Sequence, residues 1–152
     1  MDDALAIFVL CATTMGAGAL SGLFPIFNSE LYLVGVVAAA GANIPFALVI
    51  ALSLALGQVG SKVVLYYAAR RGARLGRGRF AEKLEKARVR AAKWKSKPYS
   101  IAFLAASVGI PPFYLTALVA GVLELDVRRF FAISMVGRII RFGTIAIIVV
   151  LA

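Results

Sequence analysis

Histidine is absent from the sequence, and the single cysteine, Cys11, lies in an apolar run. A disulfide within one chain and a metal site built from His or Cys are therefore excluded. Acidic residues form no cluster that could hold a metal ion or perform acid–base catalysis on a lipid head group. The sequence thus predicts a protein without a cofactor and without enzymatic activity.

Charge is also missing from most of the N-terminal half. No charged residue lies between Asp3 and Glu30, and none lies between Glu30 and Lys62. Hydrophobic residues make up 62% of the 152 residues, and the mean hydropathy is +0.92. Such values are far above those of soluble domains, so we predict an integral membrane protein with a single membrane domain over residues 1–152.

The positive charge is concentrated in one segment. The net charge is +10, and twelve of the 17 Lys and Arg residues lie between Arg70 and Lys97. Basic loops of membrane proteins face the cytoplasm, where they meet anionic lipid. We therefore predict a cytoplasmic segment over residues 71–97 that contacts anionic lipids of the inner leaflet. Nucleic-acid binding is not expected, because it requires a basic face on a soluble fold.

Within this segment, apolar residues recur at helical spacing and basic residues occupy the other faces. The pattern predicts an amphipathic helix on the membrane surface, with a solvated connector as the alternative. We expect Arg88, Lys93 and Trp94 to contact that surface. The apolar stripe consists of Phe80, Leu84, Ala87, Ala91 and Trp94.

A helix break is predicted near Pro25. Proline lacks an N–H donor and disfavours helix in the preceding residue, so a helix cannot run smoothly across this position. Asn28 and Ser29 are good N-cap residues, which places the start of a new half-helix at Ser29 or Glu30. Glu30 would then be a lone acid at membrane depth, where an ionisable group is a functional-site candidate. It is the predicted proton-coupling residue.

Two arginines lie inside the last apolar segment. Arg138 follows Arg128 by ten residues, which is about 15 Å along a helix and so near the bilayer middle. Arg141 lies three residues later, on the same helix face. Guanidinium groups match phosphate geometry and stay charged. We therefore predict phosphate binding by Arg138 and Arg141, together with Asn28 and Ser29 at the half-helix N-terminus.

Two plainer interpretations of these charges stay open. Glu30 and Arg138 could form a purely structural buried ion pair. Arg141 could extend to the far membrane surface instead of binding a ligand. The same extension toward the surface is expected of Lys62, near the end of its helix.

The predicted fold is an all-α integral membrane protein in which transmembrane helices alternate with two re-entrant helical hairpins. The first hairpin is broken at Pro25, and the second is broken at Pro111 and Pro112. The N-terminal apolar helix could either span the bilayer or lie at its surface. The predicted segments are an apolar helix over 4–20, a hairpin over 21–42, a transmembrane helix over 45–70, the basic segment over 71–97, a hairpin over 99–124 and a transmembrane helix over 127–152.

An internal repeat supports the two hairpins. The segment 21–36 aligns without gaps to 107–122, and Pro25 matches Pro111 while Gly35 matches Gly121. With residues 71–97 in the cytoplasm, the two hairpins enter from opposite leaflets, as inverted repeats should. Transporters are often built in this way, with a binding site at the midplane between broken helices. Small residues on two helices predict close helix contacts, namely Gly16, Gly18, Ser53, Gly57, Gly60 and Ser61.

Several of these residues occur in an order and spacing that resemble a known family, the DedA family, also called SNARE-associated or VTT-domain membrane proteins. The resemblance runs from about Leu20 to Ala152. Many members carry an arginine before the second-hairpin prolines, where this chain has Val108 and Gly109. The residues that carry the resemblance are Pro25, Glu30, Gly35, Gly57, Gly60, Tyr67, Arg70, Gly72, Pro111, Pro112, Gly121, Phe130, Gly137, Arg138 and Arg141.

The resemblance implies a small multi-pass protein of the cell inner membrane, of prokaryotic type, with two opposed re-entrant hairpins and a functional acid at Glu30. Some bacterial relatives translocate undecaprenyl phosphate, others support membrane proton homeostasis, and eukaryotic relatives scramble phospholipids. The implied function is a flippase of a lipid phosphate, with undecaprenyl phosphate as the first candidate and proton coupling through Glu30. The alternatives are a phospholipid scramblase and a proton-coupled antiporter of small solutes or drugs. Homo-oligomer formation stays open.

Overall fold

The structure is a computed structural model that describes residues 2–75 and 79–152. Within these residues it is all-helical, with seven helices and no strand, which confirms the predicted fold class at the level of an all-α protein. The helices are α1 (Asp2–Leu23), α2 (Ser29–Ala39), α3 (Ile44–Leu75), α4 (Arg79–Trp94), α5 (Pro98–Ser107), α6 (Phe113–Val122) and α7 (Val127–Leu151).

Three of the described helices are long and apolar enough to cross a membrane, namely α1, α3 and α7. The first of them runs beyond the predicted 4–20 and takes in the first residues of the predicted hairpin over 21–42. By contrast, α2, α5 and α6 have 11, 10 and 10 residues. A helix needs about 20 apolar residues to span the hydrocarbon core, so these three are half-helices. Entry of the hairpins from opposite leaflets stays a prediction.

The chain divides into two compact units. Unit 1 contains Met1–Ser61 and Arg138–Ala152, and unit 2 contains Lys62–Gly137. The helices α3 and α7 each contribute residues to both units. Residues 76–78 of the predicted basic segment, and the side chain of Phe80, lie outside the part of the chain that the structure describes.

The break in unit 1 follows the local sequence. Helix α1 ends at Leu23, two residues before Pro25, and α2 begins at Ser29 as predicted. The Asn28 side chain accepts hydrogen bonds from the backbone N–H groups of Glu30 and Leu31, at 3.0 and 3.1 Å. These bonds satisfy two of the N–H groups that the start of a helix leaves unpaired, so the half-helix has a defined beginning.

The packing of α1 against the unit 1 part of α3 brings two backbones together. A Cβ atom on Gly57 would lie 2.9 Å from the backbone nitrogen of Ala19 and would also meet the Met15 carbonyl group. A Cβ atom on Gly18 would lie 3.0 Å from the backbone nitrogen of Gln58. Both contacts agree with the expected role of Gly18 and Gly57 in close helix packing. The same expectation is wrong for Gly16 and Gly60, where a Cβ atom would meet nothing within 4 Å.

Unit 2 is organised around α6. Residues 108–112 separate α5 from α6, and the prolines at 111 and 112 remove two backbone donors there. Both α5 and α4 pack against α6. The apolar stripe of α4 is buried through Leu84, Ala87 and Ala91. The stripe therefore packs against α6, a helix with a mostly buried surface, and the location of α4 on the membrane surface stays a prediction.

Each unit contains a half-helix that ends in a left-handed turn and is followed by a capped long helix. In unit 1 the turn residue is Gly41, with φ +53°, and Asn43 accepts from the Phe46 N–H. In unit 2 the turn residue is Glu124, with φ +51°, and Asp126 accepts from the Arg129 N–H. These features follow the order of the predicted repeat, although inverted symmetry stays a prediction.

The turn at Glu124 carries an ion-pair cluster. Arg74 donates to Glu124 at 3.0 Å, and Arg70 lies 3.7 Å from the same carboxylate oxygen. The hydrogen bond from Arg74 and the charge of Arg70 lower the pKa of the Glu124 carboxyl. A folded-state pKa below the ordinary value adds stability above that value, and the stability is lost as the pH falls through the folded-state pKa.

We therefore expect Glu124→Gln to lower the melting temperature slightly at pH 7, and the difference from wild type to shrink as the pH falls below about 4.5, the ordinary pKa of this carboxyl. The glutamine keeps the same left-handed backbone strain, so the comparison isolates the charge. Thermal unfolding in detergent between pH 7 and pH 3.5 would measure it. A difference that stays constant with pH would contradict the ion-pair explanation.

Candidate functional site

The predicted acid and one predicted arginine form an ion pair in unit 1. Glu30 lies in the first turn of α2, and Arg141 lies on α7, 111 residues later in the chain. The Arg141 Nε–H donates to Glu30 Oε1 at 2.6 Å, and Arg141 Nη2 contacts the same oxygen. Both side chains are partly buried. The acid thus has a cationic partner, as a charge at membrane depth would require.

Arg138 lies on α7 one turn before Arg141 and is only 7% exposed. Its guanidinium carbon lies 5.5 Å from the centroid of the Phe142 ring, which is a cation–π distance. The structure therefore places both predicted arginines in the unit that contains Glu30. Arg138 is the more buried of the two, whereas Arg141 bonds the acid directly.

The two remaining predicted phosphate ligands have local partners. The side-chain oxygen of Asn28 is used by the cap of α2, so the Glu30 and Leu31 amides are not open to a phosphate. Ser29 is buried, and its hydroxyl oxygen accepts a hydrogen bond from Gln58 Nε2 at 3.2 Å. Asn28 therefore shapes the start of the half-helix, as a cap does.

Sequence reasoning missed Gln58, which lies on α3 and is 5% exposed. Its Nε2 donates to Ser21 Oγ at 3.0 Å as well as to Ser29. Its Oε1 is buried and has no hydrogen-bond partner among the described residues. The available signal was compositional, because Gln58 is the only amide side chain between Ile44 and Ser61, and a polar group in an apolar helix is expensive.

A second cationic group lies in unit 2. Lys62 is only 4% exposed, and its Nζ lies 5.5 Å from the Phe113 ring centroid and 5.3 Å from that of Tyr114. Lys83 Nζ lies 5.6 Å from the Tyr114 centroid on the same unit. The expectation that Lys62 extends to the membrane surface is wrong, since the aromatic residues that begin α6 hold its ammonium inside the protein.

The residues predicted to touch the membrane surface have protein contacts of their own. Arg88 Nη2 donates to the Ala73 carbonyl oxygen at 2.8 Å and lies 3.6 Å from Glu85. Trp94 is half-buried and lines a small cavity in unit 2 with Pro98. Lys93 is exposed. Arg88 is exposed as well, so both cations are open to an anionic surface.

Comparison with known proteins identifies a family. The family profile described as the VTT domain matches residues 24–151, which include Glu30, Arg138 and Arg141 but not α1. Searches of curated proteins and of solved structures give no significant match.

Proposed function

The chain belongs to the VTT-domain family, and we propose that it is a flippase of a lipid phosphate. Membership of this membrane-protein family is consistent with transport at a general level. Undecaprenyl phosphate is the proposed substrate. The three long apolar helices are consistent with a membrane protein. The location proposed is the inner membrane of a prokaryote, with the basic segment on the cytoplasmic side.

One observation carries the proposal, namely the contact of Arg141 with Glu30 at 2.6 Å in a unit built from apolar helices. Arginine binds phosphate and carboxylate through the same fork of N–H donors. A phosphate that reaches Arg141 therefore competes with Glu30 for the same donors. This competition gives the site two states, one with the internal acid bound and one with the lipid head group bound.

Protonation of Glu30 would favour the second state. A neutral carboxyl group is a weaker partner for a guanidinium, so the arginine is released to the phosphate. Deprotonation restores the ion pair and displaces the head group. Each cycle then couples one proton to the release of one lipid, while the hydrocarbon tail stays in the bilayer.

Charge in unit 2 supports an anionic substrate. The start of α6 has no side-chain cap, and the positive end of a helix dipole attracts anions. Lys62 and Lys83 both lie over the ring of Tyr114 in this first turn. A cationic drug or solute is a poor match to such surroundings.

The proposal predicts that Arg138→Ala and Arg141→Gln each weaken binding of undecaprenyl phosphate by about tenfold or more. This is the loss of affinity that corresponds to one or two lost charge-assisted hydrogen bonds. Native mass spectrometry of the detergent-purified protein, with undecaprenyl phosphate and with common phospholipids, would measure this. Arg129→Ala is the matched control, because Arg129 lies on the same helix and is exposed.

Selective binding of the polyprenyl phosphate that is lost in both site variants, and retained in the control, would support the proposed function. Equal binding of every anionic lipid, unchanged by the site variants, would contradict it. That second result would favour phospholipid scrambling, with the basic segment as the lipid contact.

A further inference from the structure

The uncommitted oxygen of Gln58 has no role in the site described so far. Gln58 bonds Ser29, and the next residue, Glu30, bonds Arg141. Gln58 and the ion pair are therefore attached to the same first turn of α2, all within unit 1. A buried acceptor without a partner is rare in folded proteins and calls for a donor from a ligand or a water molecule.

The hydrogen bonds fix which end of the amide is the acceptor. The Ser21 hydroxyl donates to the Gly18 carbonyl oxygen at 2.8 Å, so its only proton is used. The amide atom 3.0 Å from Ser21 Oγ must then be the donor, Nε2. The other end of the amide is consequently the oxygen, which is the end without a hydrogen-bond partner among the described residues.

We propose that Gln58 makes the site selective for a phosphate monoester in its singly protonated form, with Oε1 accepting a hydrogen bond from the P–OH group. The inference rests on the proposed function and deepens it. Oε1 can only accept a hydrogen bond, so a P–OH group can donate to it. A fully ionised phosphate oxygen at the same place would put two acceptor oxygens together with no proton between them. The arginines bind the ionised oxygens of the same head group.

The charged and titratable groups around Gln58 come from several helices. Glu30 and Tyr32 lie on α2, whereas Arg138 and Arg141 lie on α7. The part of α1 that packs near Gln58, around Gly18 and Ser21, carries no charged residue. Further along α3 itself, Lys62 follows four residues later. A change of pH acts on protein groups as well as on the lipid, so a test by pH alone would mix the two effects.

A pair of ligands separates the two effects. At pH 5, below the second phosphate pKa of about 6, dodecyl phosphate and its methyl ester both carry one negative charge, but only the first has a P–OH group. We expect wild type to bind the monoester about five- to tenfold more tightly at pH 5, the effect of one buried hydrogen bond. In Gln58→Met this preference should disappear.

Three further measurements complete the test on the full chain in detergent. Ser21→Ala disturbs the same cluster but leaves Oε1 in place, so it should keep the preference. When the pH is raised from 5 to 8, the affinity for the monoester relative to the methyl ester should fall in wild type. This relative affinity should become about five- to tenfold less favourable to the monoester in wild type than in Gln58→Met over the same pH change. The methyl ester keeps a single charge over this range, so its binding reports pH effects on the protein alone. The ligand comparison on wild type does not depend on any variant folding.

Equal binding of both ligands to wild type at pH 5, with both lost in Arg141→Gln, would overturn the role of Gln58 and leave the proposed function intact. Failure of wild type to bind either ligand would overturn both. Retention of the monoester preference in Gln58→Met would show that another group recognises the P–OH proton.

Discussion

Exchanging Glu30 and Arg141 for each other should restore most of the stability that either single reversal removes, yet should leave the protein unable to move lipid phosphate. Each single reversal, Glu30→Arg or Arg141→Glu, places like charges at a contact that is now 2.6 Å long. Losing one partner of a buried ion pair costs about 3–5 kcal/mol. Because both side chains are partly exposed here, we expect about 2–3 kcal/mol for each single variant.

The double variant recreates the pair with its direction reversed. The recovery should be incomplete, because an arginine in the first turn of α2 opposes the helix dipole, whereas Glu30 complements it. Transport should nevertheless fall by about 100-fold, the equivalent of about 3 kcal/mol, since the phosphate-binding cation is no longer beside Arg138 on α7. Thermal unfolding and a proteoliposome flipping assay with undecaprenyl phosphate would measure the two effects separately.

The exchange separates a structural ion pair from a functional one. If the double variant is both stable and fully active, the pair serves the fold, and the competition between Glu30 and phosphate is not the mechanism. If the double variant is as unstable as the single ones, the two side chains do not hold each other as the structure indicates.

Gly57→Ala should be strongly destabilising although it adds a single methyl group. Alanine normally stabilises an exposed helix position by about 1 kcal/mol relative to glycine. At Gly57 the new methyl group would enter the space of the α1 backbone, where its Cβ lies 2.9 Å from the Ala19 nitrogen. Overpacking against backbone costs about 1–3 kcal/mol, so we expect a net loss of stability of about that size.

Gly60→Ala is the matched control on the same helix, because a Cβ atom there meets nothing within 4 Å. We expect this variant to be at least as stable as wild type. Melting temperatures of the two variants, measured in the same detergent, should differ in opposite directions from wild type. Equal behaviour of the two variants would show that α1 does not approach α3 as closely as the structure has it.

The local breaks of the chain could be predicted from the sequence because single residues determine them. Pro25 and Asn28 define the end of α1 and the start of α2, and the predicted half-helix begins at the expected residue, Ser29. Glu30 was identifiable for a similar reason, since it is the only charge in a long apolar stretch. These features depend on neighbours in the chain and on composition.

The partners of these residues could not be predicted, because they depend on tertiary packing. Arg138 and Arg141 are equivalent in a sequence pattern, and only the structure shows that Arg141 bonds Glu30. A lysine near a predicted helix end, such as Lys62, can either extend to the membrane surface or be buried. In the structure its ammonium is buried against two aromatic rings of unit 2. The apolar stripe of α4 is likewise equally suited to lipid and to α6.

The separation of Glu30 from Arg141 along the chain has a consequence for biosynthesis. Ribosomes add about 5–20 residues per second, so Arg141, which lies 111 positions after Glu30, is added about 6–22 s later. Throughout that interval the acid has been synthesised and its arginine has not. During that time Glu30 must be neutral, hydrated or held by another partner, because an unpaired charge at membrane depth is costly.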